Sequence, residues 1–307
     1  MKEDLVSIVL PTYNRAHLVS RAINSVINQT YLNWELIIVD DFSKDDSISV
    51  IKSYLKDDRI KLYENKVNLG GSGSRNIGIF HSRGEFVTFL DSDDEYLPDK
   101  VKLQVELFKT SKIENLGVVN CGRFDQRNGQ IYNKWIPKFR GDVTIPLLSK
   151  DKVGSNTSLL MVSREVLDDE IRFDENMPAG QDWDFLIRIC LEFNMDFVDQ
   201  NLVIIHHHDG PRVYNNLSAI RAYQLQLEKY NHLLKKDFKV LKKFSIRKAL
   251  VEFVNKERTL AITTLSDKSF DQDLLIKFWK IYFKLYKSNS SISSKIFLKI
   301  LLYISFD

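Results

Sequence analysis

Three carboxylates fall within four residues at Asp91-Ser92-Asp93-Asp94, directly after the run Phe86-Val87-Thr88-Phe89-Leu90. An apolar, β-branched and aromatic run of that length makes a buried strand. No strand buries unpaired acids, so the carboxylates belong at its end. Asp91 and Asp93 point the same way if the strand continues, and a turn converges them. Either arrangement is a hard, oxygen-rich pocket suited to Mg²⁺ or Mn²⁺ with a diphosphate as third partner. The competing reading is a solvated turn. A second acidic pair, Asp40-Asp41, ends the strand-like run Trp34-Glu35-Leu36-Ile37-Ile38-Val39. Asp182, at the start of an apolar helical pattern, is either a helix cap worth about 1 kcal/mol or a general base held in a crevice. His206-His207-His208 follow the last strand-like stretch. Neighbours on a regular element point apart, so the three cannot all bind one metal; one of them could, and a polar loop is the alternative.

These residues need elements to position them. Leu5 to Leu10 reads as a strand stopping at Pro11, with the polar loop Pro11 to Arg15 and then a helix through Leu18, Val19, Ala22, Ile23, Val26 and Ile27. After the strand ending at Val39, residues 43–55 read as a helix and 59–63 as a short strand. Gly70-Gly71-Ser72-Gly73-Ser74-Arg75-Asn76 is a glycine-rich turn into a further helix. Its third fingerprint position holds Asn76 and it follows the third strand, which disfavours a nicotinamide site. Arg75 and Asn76 are expected at the helix N-terminus, where polar or anionic groups are favoured. Strands alternating with helices imply parallel pairing and an α/β class, and ligands of such sheets bind beyond the strands' carboxyl ends. The stretches Pro11 to Arg15, Asp40-Asp41 and Asp91 to Asp94 should therefore share one crevice.

Farther on, a helix follows Pro98, and strands at 116–124 and 130–135 flank the hairpin signal Arg127-Asn128-Gly129. The sheet becomes mixed there. Residues 138–155 read as a long loop near the site, 157–162 as a strand, and 197–198 with 202–205 as the last strand-like stretch. From Asn216 the pattern is helical, basic and aromatic. Leu225, Leu227, Tyr230, Leu233 and Leu234 mark one helix, and Phe278, Trp279, Tyr282, Phe283 and Tyr286 another. They fit helices packing on the rest of the chain or an interfacial anchor.

At 307 residues with 44% apolar and 28% charged content, the chain has the composition of an ordinary globular protein with ample core. Cys121 and Cys190 lack any ligand spacing, so neither a disulfide framework nor a zinc site is expected, and a reducing, cytoplasmic setting fits. No export signal is read at Met1-Lys2-Glu3-Asp4, and no apolar stretch approaches the ~20 residues that cross a bilayer. From Arg212 onward 19 Lys and Arg stand against 8 Asp and Glu, leaving 25 against 33 before it. An acidic body argues against nucleic acid as partner, and a basic tail is compatible with an anionic surface.

Taken in order, five pieces resemble the family 2 glycosyltransferases of GT-A fold. They are Pro11-Thr12-Tyr13-Asn14-Arg15, Val39-Asp40-Asp41-Phe42-Ser43, Asn68-x-Gly70 with Arg75-Asn76-x-Gly78, Leu90-Asp91-Ser92-Asp93-Asp94 and Gln181-Asp182-Trp183-Asp184. The resemblance implies a Rossmann-like α/β domain over residues 1–212, with a mixed central sheet and helices on both faces. A basic α-helical extension, 213–307, follows it. It also implies inverting transfer of a sugar, usually from a UDP-sugar, to the hydroxyl of a glycan or lipid-linked acceptor. Thr12, Tyr13 and Arg15 would line the nucleoside pocket and Asp40 would bond the base. Arg75 would lie near the diphosphate, Asp91 on the ribose side, and Pro11, Asn68, Gly70, Ser92 and Arg212 would complete the donor site. Asp93 would hold Mn²⁺ or Mg²⁺ with His208, His206 being the fallback, and Asp182 matches the catalytic base. The family commonly has Glu where Gln181 stands, and Asp94 keeps a structural role. The alternatives are a sugar-nucleotide-binding subunit without turnover and a nucleotidyltransferase. The second would need a basic, glycine-rich loop where Pro11 to Arg15 stands. Peripheral membrane contact and an oligomer are compatible with the tail.

Overall fold

Strand β1 (Val6–Thr12) lies at the centre of the architecture, with β2 (Trp34–Asp40) parallel on one side and β4 (Phe86–Phe89) parallel on the other. Its residues are buried on both faces, as a continuous apolar run in a parallel sheet requires. The strand runs two residues past its expected stop, through Pro11. The Val9 carbonyl accepts the Leu90 N–H at 2.9 Å, so Pro11, two residues on, turns its missing N–H toward the same side. There β4 has already ended, and no ladder bond is lost.

The computed structural model describes residues 4–149, 151, 153–168, 170–207, 216–255, 257–266, 268–271 and 273–285. The chain forms two units. The first comprises Met1–Leu147, Lys152–Asn176 and Gln181–Pro211, the second Leu148–Asp151, Met177–Gly180 and Arg212–Asp307. In the first unit α1 (Val19–Ile27), α2 (Ser47–Lys52), β3 (Ile60–Glu64) and α3 (Gly70–His81) complete the alternating half. There follow β5 (Glu95–Tyr96), α4 (Lys100–Thr110), β6 (Leu116–Arg127), β7 (Gln130–Trp135), α5 (Thr144–Leu148), β8 (Met161–Ser163), α6 (Arg164–Asp168), α7 (Gln181–Cys190) and β9 (Asn194–His206). The sheet order is β3-β2-β1-β4-β8-β6-β9-β5, with β7 paired to β6. It is mixed: β8 is antiparallel to both β4 and β6, while β6 and β9 are parallel.

Several expectations shift in detail. The helix expected over 43–55 is confined to α2, because Ser43, Asp45 and Ser47 spend their side chains on loop backbone, as short polar residues do. Arg75 and Asn76 lie mid-helix, not at the N-terminus, since α3 already starts at Gly70, whose φ of +74° suits the turn into it. Gly78 lets α3 lie close on β1: a Cβ there would stand 2.2 Å from Val9 Cγ1. The expected loop 138–155 contains α5, with Val143, Leu147 and Val153 buried. The strand expected over 157–162 is a 3₁₀ turn, Thr157–Leu159, followed by β8. The last strand is a single β9 of 13 residues, irregular in its pairing with β6.

In the second unit the described helices are α8 (Asn216–Leu234), α9 (Phe238–Val254), α10 (Arg258–Thr264) and α11 (Leu274–Leu285). Tyr230, Leu234, Phe244, Phe253, Ile276 and Trp279 are buried. Trp279, for which the sequence left both packing and an interfacial anchor open, is buried. Tyr286 lies outside the described residues.

Behind β4 sits a fully buried lysine. Lys100 Nζ donates to Thr88 Oγ1 at 2.5 Å and lies 4.0 Å from the centre of the Tyr96 ring. Burial lowers its pKa to about 7. The unfolded chain then binds more protons than the native one between that value and the ordinary 10.5, so stability rises with pH across this window. Burial raises the Cys121 thiol to about 12, which works the other way once unfolded thiols ionise. From pH 7 to 8.5 we therefore expect stability to urea to rise by up to about 1.4 kcal/mol per pH unit. In Lys100→Met the rise should flatten, as measured by urea titrations at the two pH values.

Candidate active site

The carboxyl ends of β2, β1 and β4 lie side by side, and the loops beyond β1 and β2 are bonded to one another. Beyond β1, Asn14 has a left-handed backbone (φ 50°), and beyond β2 so does Phe42 (φ 68°). A bulky residue keeps that conformation only where its surroundings over-determine it. Here the Asn14 N–H donates to Ser43 Oγ at 2.9 Å and the Lys44 N–H to Asn14 Oδ1 at 2.8 Å. The Arg15 N–H donates to Ser47 Oγ at 2.8 Å. Tyr13 is 44% exposed, and the Arg15 guanidinium donates to the Asn14 carbonyl at 3.3 Å.

Asp40 and Asp41 are both buried but differ in use. Asp41 accepts the N–H groups of Leu69 and Gly70, each at 2.8 Å, and Asn65 Nδ2 at 2.9 Å. It thereby holds the start of α3, while Asn68 Nδ2 donates to the Asp41 carbonyl at 3.1 Å. Asn68 and Gly70, expected in the donor site, are thus tied to Asp41. Among the described residues the Asp40 carboxylate accepts the Ser43 N–H, at 2.9 Å on Oδ2. Its Oδ1, Thr12 Oγ1 and Arg75 Nε are buried and have no hydrogen-bond partner among the described residues.

The acid turn is held from several sides. Asp91 accepts Arg75 Nη2 at 2.5 Å and Thr157 Oγ1 at 3.2 Å, and its N–H donates to Ser158 Oγ at 3.1 Å. Ser158 Oγ donates in turn to Asp94 at 2.6 Å. Burial first, then the charges of Asp91 and Asp93, push the Asp94 carboxyl well above its ordinary range. The Ser158 hydroxyl and the His206 backbone N–H oppose the shift. Ser92 is buried in the turn, and the Asp93 carbonyl accepts Arg21 Nη2 at 2.7 Å.

The segment 155–158, which supplies Thr157 and Ser158, also reaches Asp182. Ser155 Oγ donates to Asp182 Oδ2 at 3.3 Å, and the Trp183 N–H to Asp182 Oδ1 at 2.8 Å. Asp182 is the second residue of α7, and Asp184 pairs within that helix with Arg188 at 3.0 Å. Ser155, Thr157 and Ser158 were not singled out from sequence. Their only signal is a run of small polar residues entering an apolar stretch, and their partners lie 27 to 67 positions away. Arg21 was missed for the same reason.

Of the histidines, His206 Nε2 lies 3.1 Å from Glu95 and His207 Nε2 lies 3.0 Å from Asp125. Burial, then the Arg21 charge, lower the pKa of His206. His208 and Arg212 lie outside the described residues. Among the described residues no group of three or more His, Cys, Asp and Glu side chains forms a metal cage. Asp91 is committed to Arg75 and Thr157, and Asp94 to Ser158 and His206. Of the three acids, Asp93 is the one to which the family resemblance gives the metal. A divalent ion fits the chemistry of this donor set, three hard carboxylates within four residues. It would take its remaining oxygens from phosphate and water, the habit of Mg²⁺.

The model of the glycosyl transferase family 2 matches residues 7–169. A relative from Escherichia coli is WfgD, named UDP-Glc:alpha-D-GlcNAc-diphosphoundecaprenol beta-1,3-glucosyltransferase. It is 37% identical over 142 residues, 44% of this chain and 56% of that protein, so the match spans little more than half of WfgD. S. aureus TarS in complex with UDP-GlcNAc superposes with a TM-score of 0.65 at 19% identity, covering 92% of this chain and 79% of that one. The mannosyltransferase PcManGT from Pyrobaculum calidifontis, in complex with GDP-Man and Mn²⁺, gives 0.58 at 18%, covering 97% and 84%. These likenesses show the GT-A fold.

The unequal use of the two neighbouring acids predicts unequal costs. Asp41→Ala strips three hydrogen bonds from a buried carboxylate and should lower stability by about 3 kcal/mol. Asp40→Ala loses one and should cost about 1 kcal/mol. Urea unfolding of both variants at pH 7 measures the difference.

Proposed function

The chain belongs to glycosyl transferase family 2, and from that membership we propose that it is a metal-dependent, inverting hexosyltransferase. In this reading it moves a sugar from a UDP-sugar to an acceptor hydroxyl in the assembly of a cell-surface polysaccharide or glycolipid. The observation that supports the reading most is the set of buried polar atoms, two at the ends of β1 and β2 and one on α3, that have no partner among the described residues. Thr12 Oγ1, Asp40 Oδ1 and Arg75 Nε each need a partner that the described residues do not supply. A nucleoside diphosphate offers matching groups. A base N–H suits Asp40, and phosphate or ribose oxygens suit the Arg75 donor.

The chain's own residues then divide the work. Thr12, Tyr13, Arg15 and Asp40 bind the nucleoside, with Pro11, Asn68 and Gly70 shaping the loops around it. Arg75 and Asp91, paired with each other, face the ribose and diphosphate beside Ser92. Asp182 takes the proton from the acceptor hydroxyl as its oxygen attacks the anomeric carbon from the side opposite the leaving group. The bond to the diphosphate breaks in the same displacement, so one base suffices and the configuration inverts. Asp93 would hold Mn²⁺ or Mg²⁺, with His208 as second ligand, and the bound ion neutralises charge developing on the departing diphosphate. The names of the relatives support a nucleotide-sugar donor and, through WfgD, a lipid-linked acceptor. They also include a GDP-sugar, so the uridine preference rests on the family resemblance. We assign catalysis to residues 1–212 and a membrane-facing role, on the cytoplasmic side, to the basic helices after them. In that region Leu217, Phe238, Leu260 and Ile281 are exposed. Among the described residues, no helix is long and apolar enough to cross a membrane.

Turnover tests the chemistry. With Mn²⁺, a panel of nucleotide sugars and a lipid-linked glycan extract, the wild-type protein should release nucleoside diphosphate. Asp182→Ala should slow release by about 10²- to 10⁴-fold, and Asp93→Ala should abolish its dependence on metal. Full activity in either variant would remove the role given to that residue. For the helical unit, flotation with phosphatidylglycerol vesicles should recover the protein, and recovery should fall as salt is raised. No binding at low salt would rule out the membrane contact.

A further inference from the structure

Helix α1 carries a second stripe besides its apolar one. Val19, Ala22, Ile23 and Val26 face the core, while Arg21 and Ser25 on another side, and Gln29 just past the C-cap Asn28, recur at intervals of four. Each of these three bonds to the backbone of the acid turn or of the residues after it. Arg21 Nη2 donates to the Asp93 carbonyl at 2.7 Å. The Tyr96 N–H donates to Ser25 Oγ at 3.2 Å. Gln29 Nε2 donates to the Leu97 carbonyl at 2.8 Å, and its Oε1 accepts the Val101 N–H at 3.0 Å. Ser25 and Gln29 are buried, neutral rungs that dock β5 and the start of α4.

Arg21 differs from them. A neutral donor would satisfy one carbonyl, yet this position has a guanidinium. Its Nε is buried with no hydrogen-bond partner among the described residues. Its charge also reaches His206, whose backbone N–H bonds Asp94. Asp91 is held by an arginine from α3 and Asp93 by one from α1, so the turn is clamped between two cations on separate helices. A planar, always-charged fork fixes a carbonyl more rigidly than a flexible ammonium.

We propose that Arg21 is the positioning residue for the metal-binding carboxylate, setting the backbone of Asp93 so that the turn binds a divalent ion together with the donor diphosphate. The proposal rests on the metal-dependent reading of the site. It opposes simple electrostatics: deleting a cation beside a metal site should tighten metal binding if charge alone mattered, and should weaken it if position matters. Residues that orient ligands typically contribute tenfold or more to metal affinity.

The test is Mn²⁺ binding in the presence of UDP, followed by electron paramagnetic resonance, with thermal melts of each variant and no turnover required. Arg21→Met should weaken Mn²⁺ binding about 10-fold, and Arg21→Lys, which keeps the charge and one donor, should recover part of the loss. Ser25→Ala should lower the melting temperature and leave Mn²⁺ affinity within about twofold, since removing a brace of the fold alone does not reposition a ligand. Unchanged or tighter binding in Arg21→Met would overturn the proposal. So would an equal loss in Ser25→Ala, which would make Arg21 one more fold brace. A wild-type protein that takes up no Mn²⁺ with UDP would overturn the metal-dependent reading and this inference with it.

Discussion

Three carboxylates within four residues repel one another, and the burial of Asp94 makes that repulsion costly. The first unit is arranged around meeting this cost. Arg75 from α3 neutralises Asp91, Arg21 from α1 grips the Asp93 carbonyl, and Ser158 bonds both Asp94 and the Asp91 N–H. Each partner comes from a different element, so the turn has its shape only when the sheet and its helices are in place. An acidic turn left to itself would be solvated and open.

The segment 155–158 gives this arrangement its reach. It is short, it caps itself through Asn156 Oδ1 and the Ser158 N–H, and it touches Asp182 at one end and Asp91 and Asp94 at the other. The antiparallel strand β8 that follows it is inserted between β4 and β6, which brings the segment alongside the end of β4. The mixed sheet thus joins a proposed base and a proposed metal turn that are about ninety residues apart in the chain. Strain is concentrated at the neighbouring strand ends, where Asn14 and Phe42 hold left-handed backbones under hydrogen bonds from each other's loops. Rigid loops of that kind lower the ordering cost of binding a ligand.

Much of this was legible in the residues themselves. Strands ending in acid, loops following β1, β2 and β4, and the switch to a mixed sheet after the first half all follow from local pattern, because side-chain period and turn chemistry are short-range properties. The division of labour between Asp40 and Asp41 was not legible. Both are buried acids at one strand end, and only the path of α3 decides that Asp41 meets two backbone N–H groups while Asp40 Oδ1 meets none. Tryptophan on a basic helix read equally well as an interfacial residue, until packing within the helical unit buried Trp279.

The sequence by itself determined the chemistry available: which strand ends bear carboxylates, which loop has the glycine that starts α3, and the order of motifs that marks the family. Tertiary structure decided which side chains and backbone groups each of those carboxylates meets. The physical reason is that a carboxylate's role depends on the donors within about 3 Å of it. At Asp91, Asp94 and Asp182 those include side chains 16 to 66 positions distant in the chain, whose arrival no local pattern records.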